Sequence, residues 1–215
     1  MNCRICNNQT ITIYDRQFDI NYYNCINCDY IFIDPESIVS KEEELRIYQL
    51  HHNSLENTGY VNMFKDFADK AIMPYKSSTK SILDFGSGPS PVLAHLLREE
   101  GFEVDIYDPY FAPEKVYENK VYDLITSTEV IEHLSNPVET FKILYKHLNP
   151  SGIISIMTLY HPQDNEKFQS WWYRRDETHI SFYTHNTMKH LAKIFNMEIL
   201  LLDSKNLCVL QKRPI

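Results

Sequence analysis

No uninterrupted apolar run in this 215-residue sequence approaches the roughly 20 residues that a membrane span needs. The opening stretch MNCRICNNQT is polar from its second residue and lacks the apolar segment of a secretory signal. Basic charge is scarce: 21 Lys and Arg stand against 29 Asp and Glu, a formal charge of −8. Such a balance repels polyanions, and the basic pair Arg174 and Arg175 does not offset it, so nucleic acid is a disfavoured substrate. Internal repeats and low-complexity tracts are absent as well, which excludes a repeat array. These absences together lead to the expectation of a cytoplasmic protein with reduced cysteines, off the membrane. The length allows one α/β domain and a small appendage.

The cysteines are few and unevenly placed. Four of the five lie in the first 28 residues as two C-x2-C pairs, Cys3 with Cys6 and Cys25 with Cys28. Two close-spaced pairs let four thiolates converge tetrahedrally on one Zn²⁺, each pair forming a turn of a knuckle. The stretches TITIY (10–14) and YIFI (30–33) are β-rich, as hairpins carrying such knuckles are. A structural zinc ribbon over residues 1–36 is therefore expected. Cys208, inside LCVL, reads as core packing instead.

Beyond Pro35 come two helical patterns. Residues 40–52 have Ser40 as a cap, acids in the first turn, and His51 and His52 at the end, where positive charge suits the helix dipole. Residues 57–73 place Tyr60, Phe64, Phe67 and Ala71 at spacings of three and four, and Pro74 stops the pattern. Residues 37–79 thus read as a helical linker or lid. From Ser81 the elements alternate: SILDF, a helix at 90–100, EVDIY, YDLITS, a helix at 137–148, GIISIMT, a helix at 186–195, MEILLLD and LCVLQK. Alternation implies a parallel sheet covered by helices on both faces. Only SKN (204–206) separates the final two strands, too short a link for a parallel crossover, so an antiparallel hairpin is expected at the sheet's end.

Asp84-Phe-Gly86-Ser-Gly88 falls where the first strand of this series meets its helix, the place where open α/β sheets bind ligands. Asp108 ends the next strand and suits the two hydroxyls of a ribose. A dinucleotide site wants a third glycine opening the helix; here it is missing, and Pro89 and Pro91 straddle the helix start. The ligand is expected to lack a pyrophosphate.

LDFGSGPSP, Asp108, YDLITSTEVIEHLSNP (122–137), LNPSGIISIMT (148–158) and THISFYTHNTMKHLAKIFNME (178–198) together resemble the class I S-adenosylmethionine-dependent methyltransferases, in particular their small-molecule-type bacterial members. The likeness covers residues 80–211 in order. It implies an α/β fold with a Rossmann-like, seven-stranded, mostly parallel sheet and an antiparallel last strand over residues 80–215. It further implies that Asp84, Gly86, Ser87 and Gly88 surround the methionine part of the cofactor, that Asp108 holds the ribose, and that Thr126 to Glu129 border the substrate side, Thr128 and Glu129 also reaching the cofactor. Glu129, Glu132 and His133 match the E-x-x-E-H stretch of ubiquinone-pathway O-methyltransferases, a similarity that implies a divalent ion such as Mg²⁺ beside the acceptor.

Methyl transfer is an in-line displacement, for which positioning supplies much of the acceleration. A hydroxyl or ammonium acceptor also needs a base, for which His179, His133 and Glu129 are the candidates. Glu129 and His133 stand four apart, the spacing of one helical face, where an acid and a histidine also simply pair. His179 serves equally well as a loop-ordering hydrogen bonder. The run Trp171-Trp172-Tyr173 is where a substrate lid belongs, with core packing accounting for one tryptophan, and residues 51–60 are a candidate second wall. The leading expectation is a methyltransferase for a small acceptor whose atom, O, N or C, is open. Its rivals are an RNA methyltransferase with the ribbon as clamp and a non-catalytic, protein-docking module that only binds the cofactor.

Overall fold

The structure, a computed structural model, describes residues 1–50 and 54–214; His51, His52 and part of the expected second lid wall lie outside the described residues. In chain order the elements are β1 (Thr10–Asp15), β2 (Ile20–Cys25), β3 (Ile31–Ile33), α1 (Lys41–Leu50), α2 (Thr58–Ala71), β4 (Ser81–Phe85), α3 (Val92–Glu99), β5 (Glu103–Tyr107), β6 (Tyr122–Thr128), α4 (Pro137–Lys146), β7 (Leu148–Met157), α5 (Asn165–Ser170), β8 (Ser181–Phe182), α6 (His185–Ile194), β9 (Met197–Leu202) and β10 (Leu207–Lys212).

The larger sheet has six strands in the order β5-β4-β6-β7-β10-β9. The expected seventh is missing, because residues 109–121 between β5 and β6 form turns, held by the paired backbone bonds of Asp108 with Ala112, with no room for a helix and a strand. β5, β4, β6 and β7 pair in parallel, and β10 runs antiparallel to both β7 and β9, as the short 204–206 link demands.

Pleating sends successive residues to opposite faces, and both faces are buried. Ile82 and Leu124 join Phe64, Phe67, Leu93 and Leu97 of α2 and α3 in one apolar cluster. Leu83, Ile125, Ile154 and Ile156 join Phe141, Leu144, Met188 and Leu191 of α4 and α6 in the other, where Cys208 is also buried. Each such side chain stabilises by roughly 1.5–3 kcal/mol on burial, which is why strands with few polar residues sit centrally. Helix starts follow side-chain chemistry. Asn136 caps α4 just before Pro137, and Thr184 and Thr187 bond reciprocally around the start of α6.

The smaller sheet has the order β1-β2-β3-β8. Its last member comes from the other end of the chain: Ile31 pairs with Phe182 and Phe32 with Ser181. Further bonds join the same regions, Tyr30 hydroxyl to Ser181 hydroxyl at 2.6 Å, Thr187 hydroxyl to the Cys28 carbonyl at 2.8 Å, and the His161 ring to the Asp29 carbonyl at 2.7 Å. Asp15 and Arg174 form a fully buried ion pair between β1 and the turn after α5.

Candidate functional site

The parallel strands end on one edge, where Phe85, Asp108 and Glu129 leave the sheet. The turn after β4 closes tightly there: the Gly86 and Ser87 amides both donate to the Tyr107 carbonyl, at 2.7 and 3.1 Å. Gly86 adopts φ +87°, and a Cβ on it would meet a Val130 methyl at 2.2 Å, so only glycine fits. Gly88 also has positive φ, +66°, and open space where a Cβ would go. The Ser87 hydroxyl is buried without a hydrogen-bond partner among the described residues, a polar atom aimed at nothing the protein supplies. Glycine freedom, open space and an orphan hydroxyl fit a polar ligand against this turn.

Asp84 is buried beneath the turn, accepting from the Thr126 hydroxyl at 2.8 Å, and burial pushes its carboxyl up to about 6. Asp108 serves its own turn as well as the cavity. Its Oδ1 accepts from the Tyr110 and Phe111 amides at 2.9 and 3.0 Å, and its Oδ2 from the Gly88 amide at 3.0 Å. The turn-forming and ligand-holding readings of this residue are therefore compatible.

Above the edge lies a cavity of about 890 Å³, whose lining includes Asp84, Gly86, Ser87, Gly88, Asp108, Thr128 and Glu129 at one side and His133, Trp172, Tyr173 and His179 at the other. The sequence-selected residues are thus brought together along one cavity. Helix α1 contributes Glu44 and Tyr48, with the Tyr48 and Tyr110 hydroxyls both donating to Glu44 at 2.8 and 2.5 Å, and α2 contributes Tyr60. Of the two tryptophans, Trp171 packs into the cluster of the smaller sheet while Trp172 stays 65% exposed at the cavity rim.

Glu129 and His133 do not share a helical face. Glu129 leaves β6 in the left-handed region at φ +53°, its amide bonded to the Met157 carbonyl at 2.8 Å, and His133 closes a separate single turn, Ile131–His133. The chain break in helical geometry aims Glu129 elsewhere. Its Oε2 lies 3.2 Å from the Tyr173 hydroxyl, which also contacts Glu132 Oε1 at 2.5 Å. Burial pushes Glu129 up to about 7, and burial together with the Glu129 charge pushes Glu132 up to about 8. Tyr173 was legible only as part of an aromatic run; its service to two buried acids needed the fold.

The two histidine rings lie 4.8 Å apart, edge to face. His179 Nδ1 is 2.7 Å from the Tyr173 carbonyl and His133 Nδ1 is 2.9 Å from the Thr178 carbonyl. A carbonyl only accepts, so each Nδ1 carries a proton and donates it, which leaves Nε2 as the atom where each ring gains or loses its second proton. His179 Nε2 stands 3.8 Å from Asp176 Oδ2; burial opposes the ionised form of that carboxyl, and its bonds to Thr178 and the charge of a protonated His179 hold it below its ordinary range. Glu132, His133 and His179 bring donor atoms within 4.8 Å of one another; Glu129 is outside that group, so the set Glu129, Glu132 and His133 does not form one ligand sphere.

A second cluster lies at the far side of the smaller sheet. The sulfurs of Cys3, Cys6, Cys25 and Cys28 all fall within 4.8 Å of one another, with Cys3–Cys28 at 3.5 Å and Cys6–Cys25 at 3.4 Å. A tetrahedron with Zn–S of about 2.3 Å has sulfur spacings of about 3.8 Å, so the cluster is of metal-binding size. Amides of Ile5 and Asn27 point at Cys3 and Cys25 sulfur, support that thiolates need.

A family model described as a methyltransferase domain matches residues 60–202. Among solved structures, the PH0226 protein from Pyrococcus horikoshii OT3 superposes with a TM-score of 0.55 at 16% identity, over 78% of this chain and 99% of that one. TnmH gives 0.54 at 12% identity over 71% of this chain, which spans only 55% of TnmH. The plantazolicin methyltransferase BpumL, solved with a triazolic desmethylPZN analog and SAH, gives 0.50 at 16% identity over 84% of this chain and 92% of that one. At these identities the likeness is one of fold. No curated protein sequence matches the chain.

Proposed function

Because the chain belongs to the methyltransferase-domain family and is an S-adenosylmethionine-dependent methyltransferase, we propose that it methylates a small organic acceptor bound in the cavity above the strand ends. The observation that carries this reading is the single cavity of about 890 Å³ running from the Gly86 turn to the histidine pair. Sites for small molecules span about 300–1,000 Å³, so this volume suits a cofactor with a modest acceptor beside it. BpumL, solved with a triazolic desmethylPZN analog and SAH, likewise holds an organic molecule together with the spent cofactor.

In this reading Asp84, Gly86, Ser87, Gly88, Asp108, Thr128 and Glu129 hold the cofactor, whose bound sulfonium supplies the methyl group. Asp108 accepts from the ribose hydroxyls with the lone pairs that its turn leaves over, and the orphan Ser87 hydroxyl gains a partner. His179 is the base: its Nδ1–H is anchored on the Tyr173 carbonyl, its Nε2 faces the Asp176 carboxylate that would steady the ring once it takes a proton, and it borders the cavity. His133, held in the same tautomer, lies beside it and orients the acceptor. Tyr48, Trp172 and Tyr173 exclude water from the acceptor end. The four clustered cysteines hold a structural Zn²⁺ that fixes the smaller sheet and, through it, the segment carrying Tyr173 and His179.

The test is release of S-adenosylhomocysteine on incubation with metabolite, RNA and protein fractions of a lysate. Turnover confined to the metabolite fraction is expected; turnover with RNA alone would replace this reading. With the acceptor in hand, His179→Gln should lower kcat at least tenfold and leave cofactor affinity within about twofold, the pattern of a lost base.

A further inference from the structure

Glu129, Tyr173 and Glu132 form a group that the base assignment leaves unused. Glu132 is fully buried, Tyr173 nearly so, and one phenolic oxygen touches both carboxyls. A phenol has one proton to donate. It serves one carboxyl at a time, so the other contact is attractive only when that second carboxyl carries a proton of its own and donates it to the tyrosine oxygen. The geometry therefore holds one proton on two carboxyls joined by a hydroxyl. Of the two acids, Glu129 borders the cavity.

The cofactor changes charge in the reaction. An acceptor X–H forms an X–C bond as the S–C bond breaks with its electron pair going to sulfur, so a cationic sulfonium becomes a neutral thioether and one proton is released from X. Resting on the cofactor reading above, we propose that the Glu129–Tyr173–Glu132 group binds the sulfonium form with its shared proton expelled and regains one proton when the sulfonium charge disappears, making it the final sink for the acceptor's proton. His179 takes that proton first. A Glu132 oxygen lies within 4.8 Å of a ring nitrogen of His179, close enough for one bridging water to pass it on. The charge in the closed cavity then stays constant through the reaction: one positive charge leaves sulfur and one proton arrives on the acids.

The surroundings favour such exchange. Lys205, from the β9–β10 turn, favours ionised Glu129, while Tyr60 of α2 and buried Asp84 add no positive charge. Glu132 faces Glu129, His179 and the buried Tyr183 hydroxyl. Burial places Glu129 at about 7, where binding a cation is enough to remove its proton.

Proton counting tests this without the acceptor. S-adenosylmethionine and S-adenosylhomocysteine are titrated calorimetrically into the full chain at pH 7 in buffers of different ionisation enthalpy. The sulfonium ligand should release about half a proton or more beyond the thioether ligand. Glu129→Gln should abolish that difference, with weaker binding of both ligands because Glu129 also helps to hold the cofactor, and at saturating ligand it supplies the baseline for the ligands' own ammonium groups. Tyr173→Phe should move the pH at which the difference is largest. If Glu129→Gln does not fold, Glu132→Gln carries the same test, because removing either acid breaks the shared proton. Equal proton release by the two ligands in the parent protein, a difference that survives Glu129→Gln, or a Tyr173→Phe profile identical to the parent overturns the proposal alone. Failure of both ligands to bind overturns the cofactor reading and this proposal with it.

Discussion

The two sheets are held together by different means. The six-stranded sheet buries aliphatic side chains on both faces under α2, α3, α4 and α6, and one of its two clusters continues into Ile5, Tyr30 and Phe32 of the N-terminal segment. The four-stranded sheet has no comparable interior. Its Ile13, Tyr22, Ile31 and Ile33 share one small cluster with Phe168, Tyr173, Ile180 and Phe182, and its other face carries the four cysteines. One sheet is stabilised by burial within its own layers, the other by a metal-sized sulfur cluster, by packing Tyr30 and Phe32 into the larger core, and by borrowing apolar surface from the segment that walls the cavity. The appended sheet is thereby part of the site's support.

Removing the metal is expected to have the largest effect, since structural zinc contributes about 10–16 kcal/mol of apparent binding energy in isolated zinc-finger peptides. Protein purified without chelator should contain about one Zn per chain, and Cys25→Ser should lose it. Hydrogen exchange should then show lost protection in β1–β3 and across residues 171–183, with β4, β6 and β7 unchanged. Uniform loss across both sheets would remove the distinction between them, and absence of zinc would remove the assignment.

Next comes the buried ion pair that ties β1 to the cavity wall. Arg174→Met leaves Asp15 buried without a counter-charge, which costs about 3–5 kcal/mol, whereas the double change Asp15→Leu with Arg174→Met should recover most of it. Denaturant midpoints of the three variants measure this. A single variant as stable as the parent would mean that the pair does not couple the sheets.

Asp108→Ala acts within the larger sheet's edge and should weaken S-adenosylmethionine binding about ten- to a hundredfold, the effect of losing a charged acceptor worth about 1.5–3 kcal/mol. Because both carboxylate oxygens also accept from the amides of Gly88, Tyr110 and Phe111, the melting temperature should fall too. Unaltered affinity with lowered stability would leave Asp108 as a turn former only.

The most gradual effect is on pH dependence. Glu129 and Glu132 hold protons more tightly folded than unfolded, where 4.5 applies, so the folded chain binds the excess protons and stability falls as pH rises from about 4.5 towards 8. The slope is at most about 1.4 kcal/mol per pH unit for one linked proton. Glu132→Gln should flatten the thermal-stability profile across that window, and the smaller sheet's cysteine variants should not.

Much of the larger sheet was legible because its signals are local. Six apolar runs and the short 204–206 link each dictate their element within a few residues. The seventh strand followed from resemblance, while the turns of 109–121 had no apolar run to support it. The cavity residues at the Gly86 turn were legible for the same local reason. Glu129 was misplaced because four-residue spacing suggests a helix, and only the backbone at φ +53° reveals the break. The two-residue β8 has no periodicity at all, so its pairing with β3 could not be read before the fold brought residues 31 and 182 together.

That pairing also orders events during synthesis. Strand β3 finds its neighbour Ser181–Phe182 only after residues 34–180 have been made. Until then β3 presents an unpaired edge in a nascent chain, the kind of edge that templates association between copies. Metal capture by the two cysteine pairs would close a short loop, whereas joining β3 to β8 closes a loop of well over a hundred residues, a slower event. The acceptor wall is therefore completed last, once the six-stranded sheet has collapsed and carried β8 to its waiting partner.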